Sequence, residues 1–297
     1  MENKDELEKV REFTGDDNLT FIGIDDTFGF KCQQCGACCM NRNDIILNPF
    51  DIYKGAKYLG ITPDKFLIDN CSTDLGCSSK IPIVLLASKE NGFCPLLKFD
   101  IKDGGKFKCT IHPAKPGACS NHPIGTMYAT NLSDGTKEAK YLKVSQCQNS
   151  ISDEQQLVRD WVKPYLDHKD EIELAHQIQH LVTNHFDPKA YWFLLSFARI
   201  LVKTTNDKNL EDKVKEAMYT YLSISIGLGY TNYDIDKPFI EQAENNIKEL
   251  NEFYERTKTI MFEPLKKLFE ETSGTTLEKA VENAKEFLSE YIKAKGE

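Results

Sequence analysis

The sequence has no cysteine after Cys147, although it holds ten in all, so thiol chemistry is confined to its first half. It also lacks a long hydrophobic run. The most apolar stretches, 81–87 and 191–202, the second broken by Ser196 and Arg199, fall short of the roughly 20 residues a spanning helix needs. No membrane span is expected. The opening Met-Glu-Asn-Lys-Asp-Glu has neither the apolar centre of a signal peptide nor the acid-poor character of a transit peptide, which predicts a cytoplasmic protein. Basic charge is scarce too: 37 Lys and Arg face 46 Asp and Glu, and the net charge of -9 repels a phosphate backbone. Nucleic acid is therefore disfavoured as a partner. One local exception is the stretch with Lys98, Lys102, Lys106, Lys108 and Lys115, but Asp100 and Asp103 interleave with it, and it reads as a solvated hairpin face rather than a docking patch. The Gly-rich strand-to-helix turn of a dinucleotide or common methyltransferase fold is missing, and Gly227-Leu228-Gly229 reads as a helix stop.

What remains is ordinary globular composition, 40% hydrophobic and 28% charged, in 297 residues, enough for two units. In a reducing cytoplasm its cysteines stay thiols or bind metal. Four of them form Cys32-x2-Cys35-x2-Cys38-Cys39, and two-residue gaps let successive sulfurs turn toward one centre. Disulfide partners need no such spacing.

Local signals predict an α+β, predominantly helical fold: a small metal-organised N-terminal region with β-hairpins over 1–150, then an α-helical bundle over 151–297. Residues 3–13 carry a short helical pattern, and the chain to Phe30 reads as irregular or weakly stranded. Asn48-Pro49 starts a helix that Gly60 stops, and Thr62-Pro63 starts another. Residues 81–87, 93–101 and 106–111 read as a small meander turning at Glu90-Asn91-Gly92 and Gly104-Gly105, and 127–130 with 138–144 as a further hairpin. Ser152 and Gln155 form a capping-box pattern that predicts helix from about 153 to 185, with a break near Asp167. Helices follow over 188–204, 209–226 and 238–271, where Pro264 should kink or divide the last, and Thr275 with Glu278 opens a final one.

Beyond the opening run stand Cys71, Cys77, Cys94-Pro95-Leu96-Leu97, Cys109-Thr110-Ile111-His112, Cys119 and Cys147. Over residues 30 to about 150, this set of motifs resembles the cysteine-cluster family of zinc- or iron-chelating proteins, whose named relatives include flagellin lysine N-methylases. By position, the resemblance implies Cys32, Cys35, Cys38, Cys39, Cys94, Cys109 and Cys119 as metal or cofactor ligands, with Cys147 as a trailing member. Cys71 and Cys77 lie outside the match. His112 stands where the family often has Tyr, and 114–116 where an Arg-Pro pair is usual, which puts any contact made by that Arg in doubt.

Three thiolates from one dense loop plus a distant cysteine suit a 4Fe-4S cluster, whereas zinc sites usually pair two short hooks, so iron-sulfur is favoured and zinc is the alternative. Adjacent Cys38 and Cys39 are expected to point apart, one serving a second centre; eight thiols could hold one or two clusters. The spacing is not the C-x3-C-x2-C of radical S-adenosylmethionine enzymes. His112 and His122 read as hydrogen-bonding neighbours of a metal. His176 and His180 share a helical face without a nearby carboxylate in the zincin pattern, and read as plain helix surface. Tyr191, Trp192, Phe193 and Phe197 read as core.

Three functions stay open at this point: an iron-sulfur protein whose cluster takes part in chemistry, with lysine N-methylation implied by the resemblance; a zinc-organised interaction module; and a metal or cluster carrier. In the first, a base must deprotonate the acceptor lysine, and Tyr128, Tyr141 and His122 are positional candidates. The helical half is expected to receive a protein partner or protein substrate.

Overall fold

Asn48 opens helix α1 (Pro49–Leu59) with a reciprocal cap: its side chain accepts from Asp51 N at 2.9 Å and Asp51 accepts from Asn48 N at 3.3 Å. Pro49 fills the first turn, and Gly60, at φ 65°, ends the helix in the left-handed conformation. Thr62 caps α2 (Pro63–Asn70) by accepting from Lys65 N. The two helices meet where Gly55 leaves room for Phe66; a Cβ there would stand 2.6 Å from that ring.

The computed structural model describes residues 7–8, 10–12, 15–75, 82–130, 137–144, 150–184, 210–257, 259, 263–280, 282–283 and 286. Cysteines 77 and 147, the predicted helix 188–204 and its aromatic residues lie outside them. The chain divides into two compact units, Met1–Thr73 with Val84–Glu173, and Asp74–Ile83 with Leu174–Glu297. The fold is α+β, with small sheets in the N-terminal half and helices in the C-terminal half.

In the first unit, β1 (Thr20–Ile22) pairs with β8 (Lys137–Lys143), which also pairs with β7 (Ile124–Thr130). The hairpin β7–β8 is the predicted one. β2 (Thr27–Gly29) pairs antiparallel with β9 (Gln155–Leu157). This overturns the predicted helix start at Ser152. The ladder with β2 continues through Val158 N to Asp26 O and Arg159 N to Ile24 O, so the partner strand outcompetes the local cap signal, and α4 begins only at Val158. The short helix α3 (Gly117–Asn121) precedes β7. α4 (Val158–Leu166) is followed by α5 (Lys169–Asn184), with the break at 167–168 as expected.

The predicted meander also differs. β4 (Pro82–Leu86) pairs with β3 (Cys71–Leu75), a strand not expected from the sequence, while β5 (Leu97–Asp100) and β6 (Lys106–Cys109) form a separate hairpin. Residues 93–96 make no strand of their own; Phe93 bridges to Met40 instead.

Phe28, Phe30, Ile124, Val158 and Val162 form a buried cluster, flanked by Trp161 and Tyr141. Each such buried side chain contributes about 1.5–3 kcal/mol. Trp161 meets the rings of Phe28 and Phe30 edge-on at 5.6 and 5.3 Å, and its indole N–H donates to Asn121 O at 3.0 Å, tying α4 to the turn after α3. We expect Trp161→Phe to keep the packing and lose this bond, lowering stability by about 1 kcal/mol in urea unfolding.

In the second unit, α6 (Leu210–Ile226) runs into a π-helical turn, Gly227–Thr231. The expected stop at Gly227-Leu228-Gly229 is thus a continuation. Gly229 is where the turn passes closest to Ile178 and Val182, each 3.0 Å from the position of a Cβ. α7 (Phe239–Thr257) and α8 (Glu263–Ser273) follow, with Pro264 in the first turn of α8; whether it divides or kinks one longer helix turns on residues outside the described ones. Asn246, buried on α7, donates to Asn232 O and accepts from Asn232 Nδ2. The last helical turn is capped by Thr276, whose hydroxyl accepts from Lys279 N, one residue later than the sequence pattern suggested.

Candidate metal centre

Left-handed backbone shapes the cysteine loop. Gln34 at φ 54° and Gly36 at φ 77° bracket Cys35, and a single 3-10 turn, Ala37–Cys39, closes with Cys39 N donating to Gly36 O at 2.8 Å. Gly36 fits because a Cβ there would stand 3.0 Å from the Phe107 ring. The loop is fastened to two other segments, the turn before β5 and strand β6. Phe107 N donates to Gln34 O, Cys94 N to Cys39 O, and Asn41 N to Gly92 O, at 2.9, 3.1 and 2.7 Å. These bonds bring Cys94, just before β5, and Cys109, at the end of β6, to the loop, while Cys119 is carried by α3.

A cavity of about 250 Å³ opens against the loop. Cys32, Cys35, Cys38, Cys39 and Cys109 line it, together with His122. The thiols of Cys38 and Cys39 lie 3.9 Å apart and face the same cavity, contrary to the expectation that they diverge. The left-handed turn at Gly36 and the 3-10 geometry after it bring neighbouring side chains to one side. Cys94 and Cys119 are electrostatically coupled to Cys39. Seven of the eight cysteines named for ligation therefore stand in or around one place, and the eighth, Cys147, lies outside the described residues. Among the described residues, no group of three or more His, Cys, Asp or Glu side chains is placed to hold a metal ion as it stands.

The thiols differ in readiness. Cys38 is lowered to about 6, first by its hydrogen bond with the Cys39 thiol, with Lys115 and Arg42 adding positive charge. The same contact pushes Cys39 far up. Burial raises Cys94 and Cys109, and raises Cys119 to about 12, where the neighbouring Cys94 and Asp51 charges add to the effect. Only the thiolate is a nucleophile or a metal ligand. In metal-free reduced protein at pH 7, iodoacetamide should therefore modify the Cys38–Cys39 pair at least about tenfold faster than Cys94, Cys109 or Cys119, as read by peptide mass spectrometry.

His122 lines the cavity and is lowered to about 4, chiefly by burial, with Arg42 and Lys115 nearby; its imidazole is neutral at neutral pH. His112 also lines the cavity but is exposed. Cys71 opens β3 instead, with its thiol 4.0 Å from Phe66 O and its pKa raised by burial to about 12. His176 is half-buried and His180 exposed on α5.

Sequence reasoning did not single out Asp51. Its carboxylate, fully buried, caps α1 and also accepts from Gly117 N at 3.0 Å, which holds the start of α3 and hence Cys119. Burial raises its pKa against the pull of Lys54 and the two amides. Lys54 Nζ lies 3.8 Å from Asp51 and 5.5 Å from the Phe50 ring centre, and burial lowers its pKa. The cap half of this arrangement was visible as Asn48-x2-Asp51; the bond to Gly117 joins residues 66 apart.

Residues 31–148 match the CxxCxxCC family, described as a putative zinc- or iron-chelating domain. No curated protein and no solved structure matches the chain.

Proposed function

We propose that the cysteine cavity binds an iron-sulfur cluster, of the 4Fe-4S type, with Cys32, Cys35 and Cys38 as loop ligands and a fourth thiolate from Cys39, Cys94, Cys109 or Cys119. The observation that carries this is the cavity itself: a space of about 250 Å³ walled by all four loop cysteines. That is several times the ~30 Å³ share of one water molecule, room for a multi-atom group rather than a lone ion. The donor set fits, because soft thiolates select iron-sulfur clusters or zinc over hard cations. Lys115 at the cavity wall, with Arg42 also acting on Cys38, favours a centre of net negative charge. A bound cluster supplies one-electron redox chemistry, tuned by hydrogen bonds to its sulfurs and by exposure.

This chain's own residues would do the rest. Cys38, already favouring thiolate, captures iron first, and the raised thiols release protons as they ligate. Neutral His122 can donate a ring N–H toward a sulfur. It is a poor base for methyl transfer: an imidazole lowered to about 4 cannot readily take a proton from a lysine. Tyr141 packs against the aromatic core cluster. The function supported best is thus metal binding with redox capacity, and the zinc reading survives as a structural site.

Iron, sulfide and zinc analysis of anaerobically purified protein tests the proposal. Iron and sulfide in equal amount, with visible absorption bleached by dithionite, are the expected result; colourless protein with stoichiometric zinc would replace iron-sulfur by zinc.

A further inference from the structure

The β5–β6 hairpin separates its side chains by face. The register pairs Leu97 with Cys109 and Phe99 with Phe107 on one face, and Lys98 with Lys108 and Asp100 with Lys106 on the other. The first face carries a second hollow, about 390 Å³, lined by Lys89, Asn91, Phe93, Leu97, Phe99 and Phe107. Phe107 stacks on Phe93 at 5.6 Å and tilts against Phe99 at 4.9 Å. Phe99 is 55% exposed, and Ile101 at the bend beyond it is 79% exposed. Large apolar side chains gathered at such exposure mark an interaction site rather than ordinary surface.

Leu97 and Phe107 also wall the cysteine cavity, so hollow and cavity share a partition. Phe107 N holds Gln34 of the cysteine loop, and Phe93 bridges to Met40 just after it. An occupant of the hollow therefore touches side chains whose backbones fasten the cysteine loop.

Charge indicates the occupant. Lys89 stands in the hollow itself, whereas Lys98, Lys106 and Lys108 lie on the other face of the hairpin. Three phenyl rings suit an apolar side chain, and the single cation in the lining suits one carboxylate beside it. We propose that this aromatic hollow docks an acidic segment of a protein partner: an apolar side chain enters between Phe93, Phe99 and Phe107, and a flanking carboxylate meets Lys89. The sequence reading of these lysines as a solvated face holds for one side of the hairpin; the aromatic side is what the sequence alone did not reveal. Docking here places the partner beside the cavity proposed to hold the metal, although the hollow does not need the metal to be iron.

The test uses full-length protein as purified anaerobically and two fluorescein-labelled hexapeptides, Asp-Glu-Leu-Phe-Glu-Asp and Lys-Lys-Leu-Phe-Lys-Lys, followed by anisotropy. The acidic peptide should bind at least about tenfold more tightly than the basic one at low salt and weaken as salt rises. Lys89→Glu and Phe99→Ser, both at surface positions, should each weaken it at least about tenfold. Equal binding of the two peptides, or binding unchanged by both variants, would overturn the proposal. Self-association seen by sedimentation and lost in Phe99→Ser would overturn it in favour of a second copy of this chain. Metal content read on the same samples keeps a failure of the metal reading separate, since absent metal and absent peptide preference register independently.

Discussion

Stripping the metal with a chelator under anaerobic conditions is expected to raise amide hydrogen exchange across residues 31–42 at least about a hundredfold, about 2.7 kcal/mol of lost local stability, while α7 keeps its protection. The argument is one of missing core. Of residues 31–39 only Gly36 is buried, and the backbone bonds that hold the loop are few and scattered among Ser150, Cys94 and Phe107. Fixing the backbone of such a segment costs about 1–2 kcal/mol per residue, which neither its apolar burial nor its hydrogen bonds can offset. Thiolate ligation can, because binding a structural zinc contributes about 10–16 kcal/mol and orders its ligands as it binds. Unchanged exchange after metal removal would show that the loop is ordered by protein contacts alone.

Asp51→Ala should destabilise the first unit by about 2–4 kcal/mol and lower metal content, although Asp51 belongs to no ligand set. Truncation leaves Gly117 N and Asn48 N buried without their acceptor, and each such orphan costs about 1–3 kcal/mol. Lys54 also loses its neighbouring charge in a site that already disfavours its protonated form. The buried carboxylate is itself costly, which is why the loss is smaller than two full orphan penalties and a broken ion pair would suggest. Because burial raises Asp51 above the unfolded carboxylate value, folding takes up a proton there. The protonated carboxyl therefore favours the folded state, that contribution is lost as pH rises from about 4 through the raised folded value, and Asp51→Ala should lack this fall of stability with pH. Urea unfolding with metal analysis on the same samples checks both parts; retained metal with lost stability would detach Asp51 from Cys119.

The features read correctly from the sequence are those whose cause lies within a few residues. Asn48, Pro49 and Gly60 set both ends of α1 by their own backbone preferences. Spacing alone named the thiols of the loop. What escaped depends on distant partners. Ser152 and Gln155 make a sound local cap, but β2 offers Gln155 a ladder, and the ladder wins. Cys71 sits in a strand because β4 arrives beside it. The convergence of Cys38 and Cys39 depends on the left-handed Gly36 and the 3-10 turn after it, which the cysteine spacing alone does not announce. Asp51 escaped for the same reason, since its grip on Gly117 joins residues 66 apart.

The pairing of β2 with β9 bears on how the protein is born. Lys31, at the mouth of the cysteine loop, is bonded to Glu154 across 123 residues of chain. At translation rates of about 5–20 residues per second, the nascent polypeptide carries its thiols for roughly 6–25 seconds before the closing strand leaves the ribosome. During that interval they are open to oxidants and to adventitious ions. Faithful loading then calls for a supply of the metal timed to follow synthesis, and overproduction in cells short of that metal should yield a larger share of miscoordinated protein.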